Sequence, residues 1–502
     1  MTQVADIRDH GSVLNYLKEM RNFGGPAVTT GLADDVISDF LGESPALGEA
    51  IERAYVAFTE YQVSHPEFLA LGEQEQIRKS QHGLTNFYSI DGVNPYVAVA
   101  AAGPWIVTLK GAVVYDCGGY GMLGMGHAPQ VVLDAMNKPH VMANVMTPSI
   151  SQMDFVARIN EEVGHTRSGS PFATFICLNS GSEAMTAAMR IADINTRKMT
   201  DSGGRYDGAE IRGLTLQGSF HGRTDRPARF SDSSRGNYEK HLASFREADY
   251  LLTVAPNDID GLEAVFSEAA ANNQFIEAFL MEPVMGEGNP GLAITPEFYR
   301  RARELTREHG AMFIVDSIQA GLRAQGVLSV VDYPGFQELD APDMESYSKA
   351  LNAGQFPLSV LALSEACAAS YKRGLYGNTM TSNPRCMDIA VAVLDTLNEQ
   401  RRENIRTRGA ELVKKLAALG GETGGAVTGA QGTGLLVSCE LASQYKIYGN
   451  DSTEDYLRRI GLSVIHGGER SLRYTPVFDI TEKEVDLVVA LTKQALLEGP
   501  TH

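Results

Sequence analysis

The chain has no run of lysines and arginines, and its formal net charge is −19. Nucleic-acid binding needs a clustered basic face, so a phosphate-backbone partner is excluded, and the acidic balance serves solubility instead. Its five cysteines, Cys117, Cys177, Cys367, Cys386 and Cys439, are an odd number at wide spacings with no Cys-x-x-Cys pair. That excludes a disulfide framework and a zinc site and fits a reducing cytoplasm. No apolar run reaches the roughly 20 residues of a membrane helix, so no membrane partner is expected. The most apolar stretch, Tyr96 to Leu109, is interrupted by Gly103-Pro104 and reads as buried strand or core. The start, Met1 to Asp6, has neither the basic residues nor the apolar segment of a signal peptide, so export is not expected. Internal repeats and low-complexity segments are also missing.

What is present is an enzyme-sized chain of 502 residues, enough for one large domain and one or two smaller ones. The 50 glycines are dispersed, which suggests tight turns rather than disorder. From Phe172 to Leu363 strands alternate with helices: Phe172 to Leu178, a helix from Ser182, Leu214 to Gln217, Tyr250 to Val254, a helix Ile259 to Ala271, Phe275 to Met281, a helix Pro296 to His309, and a strand ending at Asp316. That alternation predicts an α/β fold with a large, mostly parallel sheet wrapped by helices.

Ahead of it, Ser12 opens a helical pattern with Leu14, Leu17 and Met20 that stops at Gly24-Gly25-Pro26. Ser44-Pro45 opens a second, with Leu47, Ile51, Tyr55 and Phe58, ending before Pro66. Trp105 to Asp116 reads as a hairpin around Lys110-Gly111. The glycine-rich stretch Gly118 to His127, including Tyr120, is either backbone that approaches a ligand or a plain loop. Helices near Ile405 to Leu419 and Glu482 to Leu497, with a strand Leu435 to Cys439, predict a smaller α+β unit. The expected division is a helical N-terminal extension with the start of the small domain over 1–105, the large domain over 106–398 and a C-terminal α+β domain over 399–502.

The chemistry centres on Asp316, at the end of a buried strand, and on Lys349, which follows the short segment Met344 to Ser348. Open α/β sheets bind ligands at the carboxyl ends of their strands, and one helical crossover returns the chain to the same edge. A lysine there can form a Schiff base, and an aspartate can keep a pyridine nitrogen protonated; together these meet the needs of pyridoxal phosphate. A surface lysine and a strand-ending cap are the plain alternative. Strand Phe172 to Leu178 runs into Asn179-Ser180-Gly181-Ser182-Glu183, where a helix N-terminus is either an anion site or an ordinary turn. Phe220 or His221, in Gly218 to Thr224, can stack on a planar ring or pack in the core. Glu282 and Glu287 close another strand, and Arg473 carries the two-pronged donor geometry that holds a carboxylate.

Taken together, Asn179-Ser-Gly-Ser-Glu-Ala, Phe220-His-Gly-Arg-Thr, Glu282-Pro-Val-Met-Gly-Glu287, Asp316-Ser-Ile-Gln319-Ala-Gly321, Lys349, Thr379-Met-Thr-Ser-Asn383-Pro384 and Leu472-Arg473-Tyr-Thr-Pro476 resemble the class III aminotransferases. The resemblance covers about Val114 to Leu497 and implies the pyridoxal-phosphate fold type I. It implies an amine donor and a 2-oxo acid acceptor, 2-oxoglutarate or pyruvate, used in two half-reactions through pyridoxamine phosphate. Mutases, racemases and decarboxylases share this fold and remain alternatives, as does a non-catalytic protein. The resemblance implies that Lys349 is the Schiff-base lysine, Asp316 the partner of the pyridine nitrogen and Gln319 a donor toward the ring hydroxyl. Ser180, Gly181 and Ser182 form the phosphate cradle, and Phe220 with His221 lies at the ring. Thr379 reaches the phosphate of the neighbouring subunit, which implies a homodimer with shared sites. Glu287, Arg473 and Tyr120 are expected at the substrate, and no metal is expected. Two departures stand out: Ser317 where Asp-Glu-x-Gln has its glutamate, and Leu322-Arg323-Ala324 in place of Phe-Gly-Arg.

Overall fold

The computed structural model describes residues 10–501 except 119, 143 and 247. Met1 to Asp6, where no signal peptide is expected, lies outside the described residues, and so does Gly119 of the glycine-rich stretch. The body of the fold is a seven-stranded sheet with strands in the order Thr174–Leu178, Ser359–Leu363, Met344–Tyr347, Met312–Asp316, Gln274–Met281, Glu210–Leu216 and Leu251–Val254. Only Ser359–Leu363 runs against the rest. The central strands are apolar on both faces because both faces are covered. Phe279 and Phe313 enter one hydrophobic cluster, and Leu280 and Ile314, one residue on, enter the other.

Helix Gly181–Thr200 packs on the second face through Ala184, Ala187 and Ala188, small residues that let it lie close. Helices Ile259–Ala271 and Pro296–His309 cover the first, with the limits their caps predict. Asp258 accepts from Gly261 N, Thr295 accepts from Phe298 N with Pro296 behind it, and Gly310 ends its helix at φ 81°.

In the N-terminal region the first helix is His10–Arg21, so Ser12 lies inside it rather than at its start. The second is Pro45–Ser64, and the Ser44 hydroxyl makes no cap bond because it accepts from Trp105 Nε1 at 2.8 Å. The hairpin forms as strands Trp105–Thr108 and Val113–Asp116, joined by Ala98–Ala102 on one side. On the other side Val113–Asp116 pairs in parallel with Leu462–Ser463. The hairpin, assigned by the 106–398 boundary to the large domain, therefore builds a sheet with the C-terminal part of the chain. Lys110 at its turn is buried, donates to Phe23 O at 3.2 Å and faces the buried Glu73, which fixes the N-terminal helices to this sheet. A third, antiparallel sheet runs Val427–Thr433, Leu436–Leu441, Ser471–Tyr474, Ile465–Gly467 and carries Arg473 on an inner strand.

Candidate active site

The strands ending at Asp316 and at Tyr347 are neighbours, with Asp316 opposite Ser346, so Asp316 and Lys349 meet at one sheet edge. Both line a cavity of about 420 Å³, a size suited to a small ligand. Asp316 is buried, and both its oxygens are engaged. Oδ2 accepts from His221 Nδ1 at 2.9 Å, and Oδ1 accepts from Ile318 N at 3.1 Å and Ser346 Oγ at 3.3 Å. His221 Nε2 lies 3.0 Å from Thr215 Oγ1, so this imidazole is locked behind the aspartate and is wholly buried.

Lys349 stands just past its strand with φ 49°, a left-handed conformation that costs a side-chain-bearing residue about 1 to 3 kcal/mol and is often kept at functional positions. Burial lowers its pKa to about 8, and the Arg473 charge pushes the same way. Glu287, Asp316 and Glu282 oppose the shift. Glu282, the inner carboxylate of its strand end, accepts from Phe220 N at 2.8 Å and Gly286 N at 2.7 Å. Burial raises it to about 7.

Gly181 and Ser182 open helix Gly181–Thr200 at the cavity wall, where a helix leaves its first N–H groups without intrahelical acceptors. Ser180 caps that helix in a reciprocal box with Glu183. A side chain at Gly181 would meet Ile318 Cδ1 at 2.7 Å, so the backbone is held against the cavity by a residue adjoining Asp316. Phe220 lines the cavity half-buried, and the buried His221 lines it too, against Asp316. The Arg223 guanidinium sits 5.0 Å from the Phe220 ring and 5.3 Å from that of Phe87.

At the far side Arg473, 1% exposed, donates from Nη1 to Gly286 O and comes within 3.4 Å of Gln319 Oε1 and 3.5 Å of Glu287 Oε2. Its guanidinium lies 5.5 Å over the Tyr120 ring, and its buried Nε has no hydrogen-bond partner among the described residues. Tyr120, at φ 50°, accepts through its carbonyl from Gln319 Nε2 at 3.0 Å; the second hydrogen on that nitrogen is not used by this bond. Thr379 is exposed and does not line this cavity. Its neighbour Asn378 ties the loop to the helix N-terminus, accepting from Asn179 Nδ2 at 3.0 Å and donating to Glu183 Oε1 at 2.9 Å. No cluster of metal-ligating side chains occurs among the described residues, and no described helix is long and apolar enough to cross a membrane.

An amine of lowered pKa, a buried carboxylate behind it, a helix N-terminus and a half-buried aromatic around one cavity fit pyridoxal phosphate. The family model described as "Aminotransferase class-III" matches residues 88–496. The chain belongs to the class III aminotransferases. It is an enzyme of a family that works with pyridoxal phosphate. Among curated proteins, it is 28% identical to an acetylornithine aminotransferase of Neisseria meningitidis serogroup A, over 78% of this chain and 92% of that protein. It is 29% identical to an ornithine aminotransferase of Exiguobacterium, over 80% and 92%. Its fold is that of the ornithine aminotransferase from Toxoplasma gondii, with TM-score 0.71 and 22% identity over 87% of this chain and 98% of that one. The acetylornithine aminotransferase from Elizabethkingia anophelis gives 0.66 and 22% over 85% and 99%.

In this aminotransferase the family match starts at 88, and the residues just there pack against Tyr120 and Arg223. The Tyr88 ring stacks 6.3 Å from that of Tyr120 and meets His466 edge-on at 6.2 Å. Neither Tyr88 nor Phe87 carries a local sequence signal. Arg223 lies within the Phe220-His-Gly-Arg-Thr motif, yet nothing in its spacing marks it as packing on the Phe220 and Phe87 rings.

Proposed function

We propose that this aminotransferase transfers an amino group from a donor with a terminal amine, of the ornithine or acetylornithine type, to 2-oxoglutarate, in two half-reactions at one site. The observation that carries this reading is Glu287 lying 3.5 Å from the buried Arg473 while itself 30% exposed. One partner is buried and the other reaches solvent. With Glu287 in place the Arg473 charge is covered, and the pocket accepts a neutral chain ending in an amine. With Glu287 turned to solvent, Arg473 clamps the α-carboxylate of glutamate or 2-oxoglutarate in two-pronged fashion. The names of the relatives support the same donor class.

In this reading pyridoxal phosphate, when bound, supplies the electron sink for the carbon that loses its proton. Lys349 holds the cofactor through its amine and then moves the proton, a task suited to a pKa of about 8. Asp316, fixed by His221, holds the proton on the pyridine nitrogen, and Gln319 donates toward the ring hydroxyl. Gly181 and Ser182 hold the phosphate, with Ser180 capping their helix, and Phe220 covers the ring. Thr379 reaches the phosphate of a second copy of the chain, so the active form is a homodimer with shared sites. The exposed Val141, Val145, Met146, Ile150 and Met153 support that contact. They adjoin helix Pro384–Asp395, which the Thr379 loop enters: Lys138 and His140 reach its Asp388 at 3.0 and 3.2 Å. Five free, buried cysteines support a reducing cytoplasm as its place.

The test is to follow each half-reaction separately by the absorbance of the cofactor. Arg473→Ala is expected to damage the half-reaction with glutamate far more than that with the terminal-amine donor, and Glu287→Ala to improve glutamate relative to that donor. Equal losses in both half-reactions for both variants would make the pair a fixed structural one and end this reading. Release of a keto product separates a transferase from a mutase, racemase or decarboxylase.

A further inference from the structure

Beneath Asp316, on the face of the sheet away from the cavity, lies a carboxylate that the reaction does not use. Glu345 is on the Met344–Tyr347 strand, opposite Val315 in register, and is wholly buried. Oε1 accepts from Ser317 Oγ at 2.6 Å and from Val330 N at 2.9 Å; Oε2 accepts from Ser329 Oγ at 2.5 Å and from Tyr347 OH at 3.0 Å. All four donors are neutral, and they come from three separate segments. The strand alternation that turns Asp316 and Ser346 toward the cavity turns Ser317 and Glu345 the other way.

Asp316 is thus held from two sides. On the cavity face His221 and Ser346 fix its oxygens; on the opposite face the next residue, Ser317, is fixed by Glu345, while Ser317 N donates to Ser346 O at 3.0 Å. We propose that Glu345 is the positioning residue of Asp316: it fixes the chain end that presents this carboxylate to the cofactor, acting through Ser317 and touching neither cofactor nor substrate. The bond between Ser317 Oγ and Glu345 Oε1 also defines an exchange. A glutamate at 317 starts along the path of the serine hydroxyl and brings its own carboxylate into the space that Glu345 fills. Two carboxylates in that buried space repel; one, from either strand, satisfies the same donors.

The test is a cycle of Glu345→Val, Ser317→Glu and the double variant. It reads the affinity of the cofactor-free protein for pyridoxal phosphate, its thermal midpoint, and the pH midpoint of the absorbance of the bound cofactor. Each single variant is expected to lose about tenfold or more in cofactor affinity, as leaving buried donors unpaired or pairing like charges predicts, and to shift the absorbance midpoint. The double variant is expected to recover both. A merely structural Glu345 would lower the thermal midpoint and leave the absorbance midpoint where it is. A double variant that fails to fold, or binds no better than Glu345→Val, overturns the proposal, as does a Glu345→Val protein with unaltered cofactor affinity and absorbance midpoint. None of these readouts depends on the amine donor, so a failure here is distinct from a failure of the ornithine-type reading.

Discussion

Lys349 shows how far a single position can be read before its surroundings are known. Its place past a short buried segment was enough to bring it to the sheet edge beside Asp316, because parallel strands deliver their carboxyl ends together. Its charge state was not readable, since that is set by burial and then by Arg473, which arrives from a different sheet. An ordinary lysine titrates near 10.5; here the ammonium is disfavoured, and the amine becomes the main form above about pH 8. The rate at which cofactor-free protein captures pyridoxal phosphate, measured against pH, is therefore expected to rise through about pH 8 and level off. Replacing Arg473 with methionine removes a like charge and is expected to move that midpoint upward. A wild-type midpoint above pH 10, or no movement in the variant, would contradict this account of the lysine.

Among the elements, those with both a period and a cap were the ones the sequence defined sharply. Helices Ile259–Ala271 and Pro296–His309 have the expected limits because Asp258, Thr295 and Gly310 mark them locally. The hairpin was legible as a hairpin, but its partner Leu462–Ser463 was not, since a two-residue parallel pairing leaves no pattern in either segment. The same limit hid Glu345. The glutamate that the resemblance expects at 317 is absent, and a carboxylate reaches that spot from the next strand, a contact between positions that only the sheet register aligns. Local glycines divide the same way. A Cβ at Gly286 would sit 1.7 Å from Gln319 Oε1, whereas at Gly236, exposed within helix Asp232–His241, it meets nothing within 4 Å. Gly286→Ala is expected to leave the fold intact but displace Gln319 and cut cofactor affinity. Gly236→Ala is expected to raise stability by about 0.5 to 1 kcal/mol through the unfolded chain. Denaturant titration and cofactor binding, run on both variants, check the two directions; a Gly286→Ala protein with unaltered cofactor affinity would show that the Gln319 amide relocates at little cost.

At the scale of the whole molecule, the large, mostly parallel sheet followed from the alternation of elements, while the proposed dimer is argued from what one chain leaves exposed. Thr379 lies outside the cavity of its own chain, beside exposed Met380, and its loop leads into the helix that adjoins Val145, Met146 and Ile150. If each site takes Lys349 from one copy and Thr379 from the other, mixing two defective chains gives a result that depends on geometry alone. A hybrid of Lys349→Ala with Thr379→Ala then gathers both lesions in one site and leaves the other with an intact lysine and an intact threonine. Such hybrids, separated by different affinity tags, are expected to hold one equivalent of cofactor per dimer with wild-type affinity and to show about half of wild-type activity, as one intact site of two requires. Thr379→Ala homodimers are expected to release the cofactor more readily from both sites. If instead the site remaining in the hybrid binds cofactor as weakly as those homodimers do, Thr379 serves its own chain, and the shared site is ruled out along with the need for a dimer that it creates.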